Sequence, residues 1–214
     1  VLYPKEEVVK FLNRHVRKRD GVDSFREVLA PRAGEQNLRG LDFGCGAGRT
    51  TVLLEEFGIT AWGVDISSTS LEIAARVCDQ NGQPKLKSRL LRIPEPVLPF
   101  DRGFFDVAIA ASVLDSMPFE IAQRAVRELD RVTRALLYVD LISGDNDRFH
   151  PEYDGEETVT TVHERGTIQS YYNWAKVCAL FEPTGFHVRT ARLVTESSVI
   201  DRYRHGRYHL VLEK

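Results

Sequence analysis

Residues 41–50 read Leu41-Asp42-Phe43-Gly44-Cys45-Gly46-Ala47-Gly48-Arg49-Thr50, three glycines alternating straight after a short apolar run and just before a helical pattern. Glycine tolerates backbone conformations closed to other residues and lets a ligand approach the main chain. The helix behind such a loop offers unpaired N–H groups and partial positive charge, suited to a carboxylate or phosphate. Gly44, Cys45, Gly46 and Gly48 are therefore candidate binding positions. The run Trp62-Gly63-Val64-Asp65-Ile66-Ser67 places an acid 21 residues after Gly44. A carboxylate at about that spacing accepts hydrogen bonds from a ribose. Together the two motifs fit a dinucleotide or an adenosyl ligand. Arg49 stands where a nicotinamide-type loop has its last glycine, and Asp42 would repel a pyrophosphate and suits a cationic ligand. The plainer readings are a tight strand-to-helix turn and, for Asp65, a helix cap.

Strand tips must hold these residues. Residues 38–43, 61–66, 87–93, 105–111 and 136–142 read as buried parallel strands. Between them, 49–57, 71–81 and 120–133 carry helical spacing; Gly58 closes the first, and Ser67 or Ser68 caps the second. Pro94, Pro96 and Pro99 impose an irregular connection. Residues 186–194 and 208–212 form a terminal antiparallel pair. Ahead of the glycine loop, 6–19 read as an amphipathic helix and 24–29 as a second helical piece. Residues 143–166 are polar and irregular apart from an alternating stretch at 158–163, and 168–181 read as a helix that stops near Pro183. This alternation predicts an α/β, doubly wound, mostly parallel sheet with helices on both faces, as one domain over 1–214. Ligands bind such sheets beyond the carboxyl ends of the strands, where the strand order switches.

The composition fits that picture. A chain of 214 residues, 43% hydrophobic and 28% charged, suits one globular α/β domain. A net charge of −2 gives no footing for a nucleic-acid partner, and the basic run Arg14 to Arg19 reads as a solvated helix face. Cys45, Cys78 and Cys178 are odd in number, widely spaced and without a CxxC pair. Neither a metal site nor a disulfide framework is expected, and a reducing, cytoplasmic setting is. No apolar run reaches the ~18 residues of a membrane-spanning helix.

Several segments together resemble the class I S-adenosylmethionine-dependent methyltransferases over most of the chain. Leu41 to Gly48 resembles their glycine-rich first motif, and Gly63 to Ser67 their second. Leu98-Pro99-Phe100 followed by Phe104-Phe105-Asp106-Val107 has the spacing of the segment that leads into their fourth strand. Ala111 to Met117 falls after that strand, Thr184-Gly185-Phe186 resembles the turn before their last hairpin, and Tyr3-Pro4…Phe11-Leu12 resembles a lid helix. The resemblance implies a seven-stranded sheet in the order 3-2-1-4-5-7-6 with strand seven antiparallel, in a three-layer α/β/α arrangement. It implies S-adenosylmethionine as cofactor and S-adenosylhomocysteine as product. Backbone at Gly44 and Gly46 would bind the methionine end, Asp65 the ribose, and Ile66 the adenine face. Ala111 and Ser112 would line the sulfonium side, and Tyr3 would close over the cofactor. Two positions depart from the pattern: Pro94 stands where an acid often meets adenine, which shifts that contact to Ile93 or Glu95, and Asp115 replaces a common histidine.

Methyl transfer from a sulfonium is an in-line displacement, to which positioning contributes roughly 7–11 kcal/mol. A general base adds ~10²–10⁴-fold when the acceptor is a hydroxyl or carbon acid. Candidates on the expected acceptor side are Asp115, His150, His163, Tyr171 and Tyr172, with His163 and Tyr172 foremost. Each also has a bland reading: a cap for Asp115, a solvated loop residue for His150, an edge residue for His163, and core packing for one of the tyrosines. Ala110-Ala111-Ser112-Val113 stands where nitrogen-directed enzymes carry Asn/Asp-Pro-Pro-Tyr/Phe, and no Pro-Cys pair for cytosine is present. The expectation is a small-molecule acceptor chosen by the 143–166 insertion and by lid helices within 1–30. The rival readings are a non-catalytic cofactor-binding protein and a nicotinamide-dependent oxidoreductase; the acceptor and the oligomeric state stay open.

Overall fold

A computed structural model describes residues 3–22, 24–160, 166–200 and 203–214. In chain order the elements are α1 (Glu6–Phe11), extended by a wider π turn over Leu12–Val16, then β1 (Arg17–Arg19), β2 (Phe25–Glu27), β3 (Arg39–Phe43), α2 (Arg49–Glu56), β4 (Thr60–Asp65) and α3 (Ser68–Gln80). A 3₁₀ segment, Pro84–Arg89, leads into β5 (Leu90–Arg92), followed by β6 (Phe105–Ala111), a 3₁₀ turn at Leu114–Ser116, α4 (Phe119–Val132) and β7 (Thr133–Ile142). The chain ends with β8 (Glu156–Thr158), β9 (Ile168–Ser170), α5 (Trp174–Phe181), β10 (His187–Ser197) and β11 (Arg204–Glu213).

Seven strands form the central sheet in the order β5-β4-β3-β6-β7-β11-β10. Numbered along the chain within this sheet, that is 3-2-1-4-5-7-6, with β11 antiparallel to both neighbours as expected. The central strands are apolar on both faces because helices cover both. On β7, Leu137, Val139 and Leu141 pack toward α4 and α5, while Leu136 and Tyr138 pack toward α1 and α2. Helix α4 shows the cause: Ala122, Ala125, Val126, Leu129 and Val132 repeat at helical spacing, and all are buried. Each larger aliphatic side chain sealed this way contributes roughly 1.5–3 kcal/mol. No helix among the described residues is long and apolar enough to cross a membrane.

The amino-terminal region corrects the expectation of two lid helices within 1–30. Val8, Phe11, Leu12 and Val16 are buried against the sheet, so α1 is a covering helix. The second piece is an antiparallel hairpin of β1 and β2. The helix cannot run on to Arg19 because Arg17 is drawn to the open end of α2, donating to Phe57 O at 3.1 Å and Gly58 O at 2.9 Å. Those carbonyls lie at the negative end of the α2 dipole and attract the guanidinium. Residues 168–181 are corrected similarly: 168–170 pair with β8, and the helix begins only at Trp174, capped by Asn173, which accepts from Lys176 N at 2.8 Å.

Candidate functional site

The glycine loop joins the tip of β3 to α2 at the β3/β6 switch point, with Gly44 and Gly46 at φ of 71° and 51°. Their reasons for being glycine differ. A Cβ on Gly44 would lie 2.4 Å from Val113 Cγ2, whereas one on Gly46 would meet nothing within 4 Å. Gly44 lets the segment after β6 close onto the loop; Gly46 borders open space. Gly48 lets α2 approach α3, since a Cβ there would sit 2.9 Å from Ala74 Cβ. Gly48 is also the N-cap of α2 and supplies no side-chain acceptor. The first-turn N–H groups are left for solvent or a ligand anion.

Asp65 ties this loop to β4. One carboxylate oxygen accepts from Gly46 N at 2.7 Å and the other from Ser67 N at 2.8 Å. The cap of α3 is Ser67, whose hydroxyl accepts from Ser70 N. Asp65 is therefore free of the capping role, and each oxygen keeps a further lone pair for a hydroxyl donor. Ile66 projects beside it, 66% exposed, and Ile93 N donates to Asp65 O at 3.0 Å. Asp42 lies beneath the loop, buried, accepting from Thr51 Oγ1 at 2.7 Å. Burial pushes its carboxyl up to about 7, against the pull of the Thr51 hydrogen bond. Burial also raises the Cys45 thiol, which keeps it protonated and inert. Tyr3 is exposed.

A second group of side chains occupies the carboxyl ends of β6 and β7 and the amino end of the antiparallel β11, on the far side of the switch point from Asp65. Arg207 bonds Asp140 at 2.6 Å and Asp115 at 2.8 Å. Lys5 pairs with Asp140 at 2.9 Å and also donates to the Ser112 hydroxyl. Ser112 is the one described non-glycine residue with positive φ, 55°, a conformation that costs roughly 1–2 kcal/mol. Asp140 holds it there by accepting from Ser112 N at 2.9 Å. Burial works to raise Asp140, but Arg207 and Lys5 outweigh it and its carboxyl ends below the usual range. Asp115 goes the other way, raised by burial despite Arg207. Lys5 is lowered, chiefly by burial.

These contacts sort the acceptor-side candidates. Asp115 is buried, accepting from Ile142 N at 2.9 Å as well as pairing with Arg207, so it neither caps a helix nor stands free. Tyr172 is corrected to a core residue: it is fully buried and its hydroxyl donates to Leu114 O. Tyr171 is also buried, edge-on to Phe149, which stacks on Tyr153 with ring centroids 3.9 Å apart. His150 is exposed. His163 lies outside the described residues. Among the described residues, no group of three or more His, Cys, Asp or Glu could hold a metal. Lys5, Asp140 and Arg207 escaped the sequence reading; the one trace was an aspartate in the otherwise apolar run Leu136 to Ile142.

Residues 41–136 match the family described as "Methyltransferase domain". An uncharacterized protein of Haemophilus influenzae is 29% identical over 108 residues, 50% of this chain and 43% of its own. A 2-heptyl-1-hydroxyquinolin-4(1H)-one methyltransferase of Mycobacteroides abscessus is 26% identical over 132 residues, 62% of this chain and 57% of its own. The matched stretches thus span about half the length of these curated relatives. Among solved structures, a SAM-dependent methyltransferase of Methanosarcina mazei superposes with a TM-score of 0.68 at 17% identity, covering 84% of this chain and 93% of the other.

Proposed function

We propose that this chain is a class I S-adenosylmethionine-dependent methyltransferase that transfers a methyl group from S-adenosylmethionine to a small-molecule acceptor, a reading supported by the match of residues 41–136 to the methyltransferase domain family. The observation that carries this reading is the tie between Asp65 and Gly46 beside an uncapped helix and open space at Gly46. It joins a ribose acceptor to a carboxylate-binding main chain. The cofactor supplies an electrophilic methyl on a sulfonium. The N–H groups of Gly44, Cys45 and Gly46 donate to Val64 O and Asp65, so the first turn of α2 takes the methionine carboxylate and the loop carbonyls face its ammonium. Asp65 takes the ribose hydroxyls, and Ile66 and Ile93 flank adenine. Ala111 and Ser112 line the sulfonium side, Asp42 lies below the loop with a carboxyl that burial keeps protonated up to about pH 7, and Tyr3 covers the rim.

Among the described residues at that rim, both carboxylates are committed to Arg207. This favours an acceptor whose oxygen ionises readily near neutral pH over one that needs a strong base. The Mycobacteroides abscessus relative is named for such an N-hydroxy compound, which supports a small, planar, hydroxylated acceptor here. The test is calorimetry with S-adenosylhomocysteine, followed by transfer of labelled methyl to a panel of hydroxylated heteroaromatics. Binding with turnover supports the reading. Binding without transfer to any acceptor class points to a non-catalytic cofactor-binding protein, and no binding refutes the cofactor assignment.

A further inference from the structure

β11 runs antiparallel to β7, and its first residues extend past the end of that strand. Arg207 stands opposite Ile142, the last residue of β7. His205 lies two residues nearer the start of β11, roughly 7 Å further out. Side chains alternate along a strand, so His205 shares a face with Arg207 and His209. On that face Arg207 reaches Asp115 and Asp140, and His209 meets the Tyr138 hydroxyl at 2.8 Å. His205 therefore stands at the outer rim of the crevice, above the Arg207 group.

The same rim is joined to the glycine loop. Lys5 donates to the Ser112 hydroxyl, and the next residue, Val113, is the one that packs against Gly44. Given the proposed methyl transfer, on which this inference rests, the sulfonium lies beside Ser112. The rim turns nitrogen outward and keeps its carboxylates beneath. The side chains of Lys5 and Arg207 are 30% and 18% exposed, against 2% and 0% for Asp115 and Asp140. Both cations are engaged as donors to those carboxylates and offer no site for a proton. The half-buried imidazole of His205 does offer one, in the pH range where a hydroxylated heteroaromatic reacts.

Its surroundings suit that task. Glu196 faces His205 across the β10–β11 ladder, and the exposed Tyr203 ring lies parallel to the imidazole, 9° between planes and 6.2 Å between centroids. Burial, with Arg207 and Lys5 nearby, holds the imidazole below its ordinary value, while Glu196 and Asp115 pull the other way. The ring is thus mostly neutral at pH 7, with Glu196 opposite to steady a proton once taken. We propose that His205 is the general base of the transfer, accepting the hydroxyl proton of a planar acceptor as its oxygen attacks the methyl group. The new O–CH3 bond forms as the S–CH3 bond breaks. The electron pair of the broken bond stays on sulfur, giving the thioether of S-adenosylhomocysteine, and the imidazolium passes its proton to solvent. Tyr203 gives an aromatic acceptor a flat wall beside the base.

His205→Gln removes the base and keeps a polar side chain of similar size. Both proteins are assayed for transfer of labelled methyl to a panel of hydroxypyridines and hydroxyquinolines, with S-adenosylhomocysteine calorimetry alongside. At about pH 6.5 the variant is expected to lose about 10²-fold or more in kcat/KM. Its affinity for S-adenosylhomocysteine and its far-ultraviolet circular dichroism spectrum are expected to match wild type. Toward about pH 9 the acceptor ionises in solution and no longer needs the imidazole, so the gap should close by about tenfold per pH unit. A variant that follows wild type at every pH overturns the assignment of His205 and leaves methyl transfer standing. A loss that is equal at every pH, or that comes with weakened cofactor binding, overturns it too, because it marks a structural role. Wild-type protein that binds S-adenosylhomocysteine yet methylates no member of the panel refutes the methyl-transfer reading itself, and the role of His205 with it.

Discussion

Arg207 and Asp140 form an ion pair at 2.6 Å, linking the last strand of the sheet to the carboxyl end of β7. The same guanidinium also serves Asp115, and both carboxylates are sealed from solvent. Removing one member of such a group leaves buried charge uncompensated, which costs about 3–5 kcal/mol. Arg207→Met is expected to lose that much in urea unfolding at neutral pH. Adding Asp115→Asn should return part of the loss, because one orphaned charge disappears. A loss below about 1 kcal/mol, typical of an exposed pair, would show that water reaches the cluster.

Asp42 gives a pH prediction. Its folded-state pKa of about 7 lies above the ~3.9 of an unfolded aspartate. Between those values the native state holds the proton more tightly than the unfolded state. The stability contributed by that proton is complete below about pH 4 and is lost as the pH rises through about 7. Asp42→Asn keeps an acceptor for Thr51 and removes the titration. Relative to wild type, the variant is expected to gain stability between pH 5 and pH 8, on the order of a few kcal/mol. Chemical denaturation at those two pH values decides it; an unchanged difference would mean that Asp42 is already ionised in the fold.

The alternation of strands and helices and the glycine loop between β3 and α2 were legible in the sequence because each rests on local pattern: apolar runs, helical spacing, glycines between a strand and a helix; the strand order came from the resemblance to the methyltransferase family. The Lys5, Asp140 and Arg207 group was not, because its members lie 135 and 67 residues apart and no local pattern announces a pairing at that range. The same reason hid the β1–β2 hairpin, where Arg17 answers carbonyls 40 and 41 residues away. Tyr172 misled in the opposite sense. Its spacing to Trp174 and Cys178 suggested a helix, but its amide donates to Ile142 O, which extends the sheet and drives the ring inward.

The glycines of the loop should separate by role. Alanine at either Gly44 or Gly46 faces a backbone penalty of roughly 1–2 kcal/mol for positive φ. Gly44→Ala must also displace Val113, whose Cβ and Cγ2 stand 2.7 and 2.4 Å from the new methyl. It is expected to be the more destabilising of the two in thermal unfolding. Gly46→Ala adds a methyl to open space and is expected to weaken S-adenosylhomocysteine binding more than it weakens the fold. Equal effects of both on stability and binding would remove the distinction.

Asp65 carries the cofactor prediction. A ligand that binds only the native state stabilises it by about 2.7 kcal/mol at 100 times its dissociation constant. Wild-type protein should show that gain with S-adenosylhomocysteine, and Asp65→Ala should lose most of it. Asp65→Asn, able to keep one backbone hydrogen bond, should unfold closer to wild type while still binding weakly. An undiminished gain in Asp65→Ala would mean that the ribose is held elsewhere.

The position of β11 has a further consequence. It follows β10 in the chain yet lies inside it, between β10 and β7. A growing polypeptide therefore makes β10 before the neighbour that will anchor it, and that strand must wait, unguarded, until the later one slots in. Because the same late strand carries Arg207, the rim beside the glycine loop is among the last parts to set, and a half-made molecule holds Asp115 and Asp140 without the cation that reconciles them.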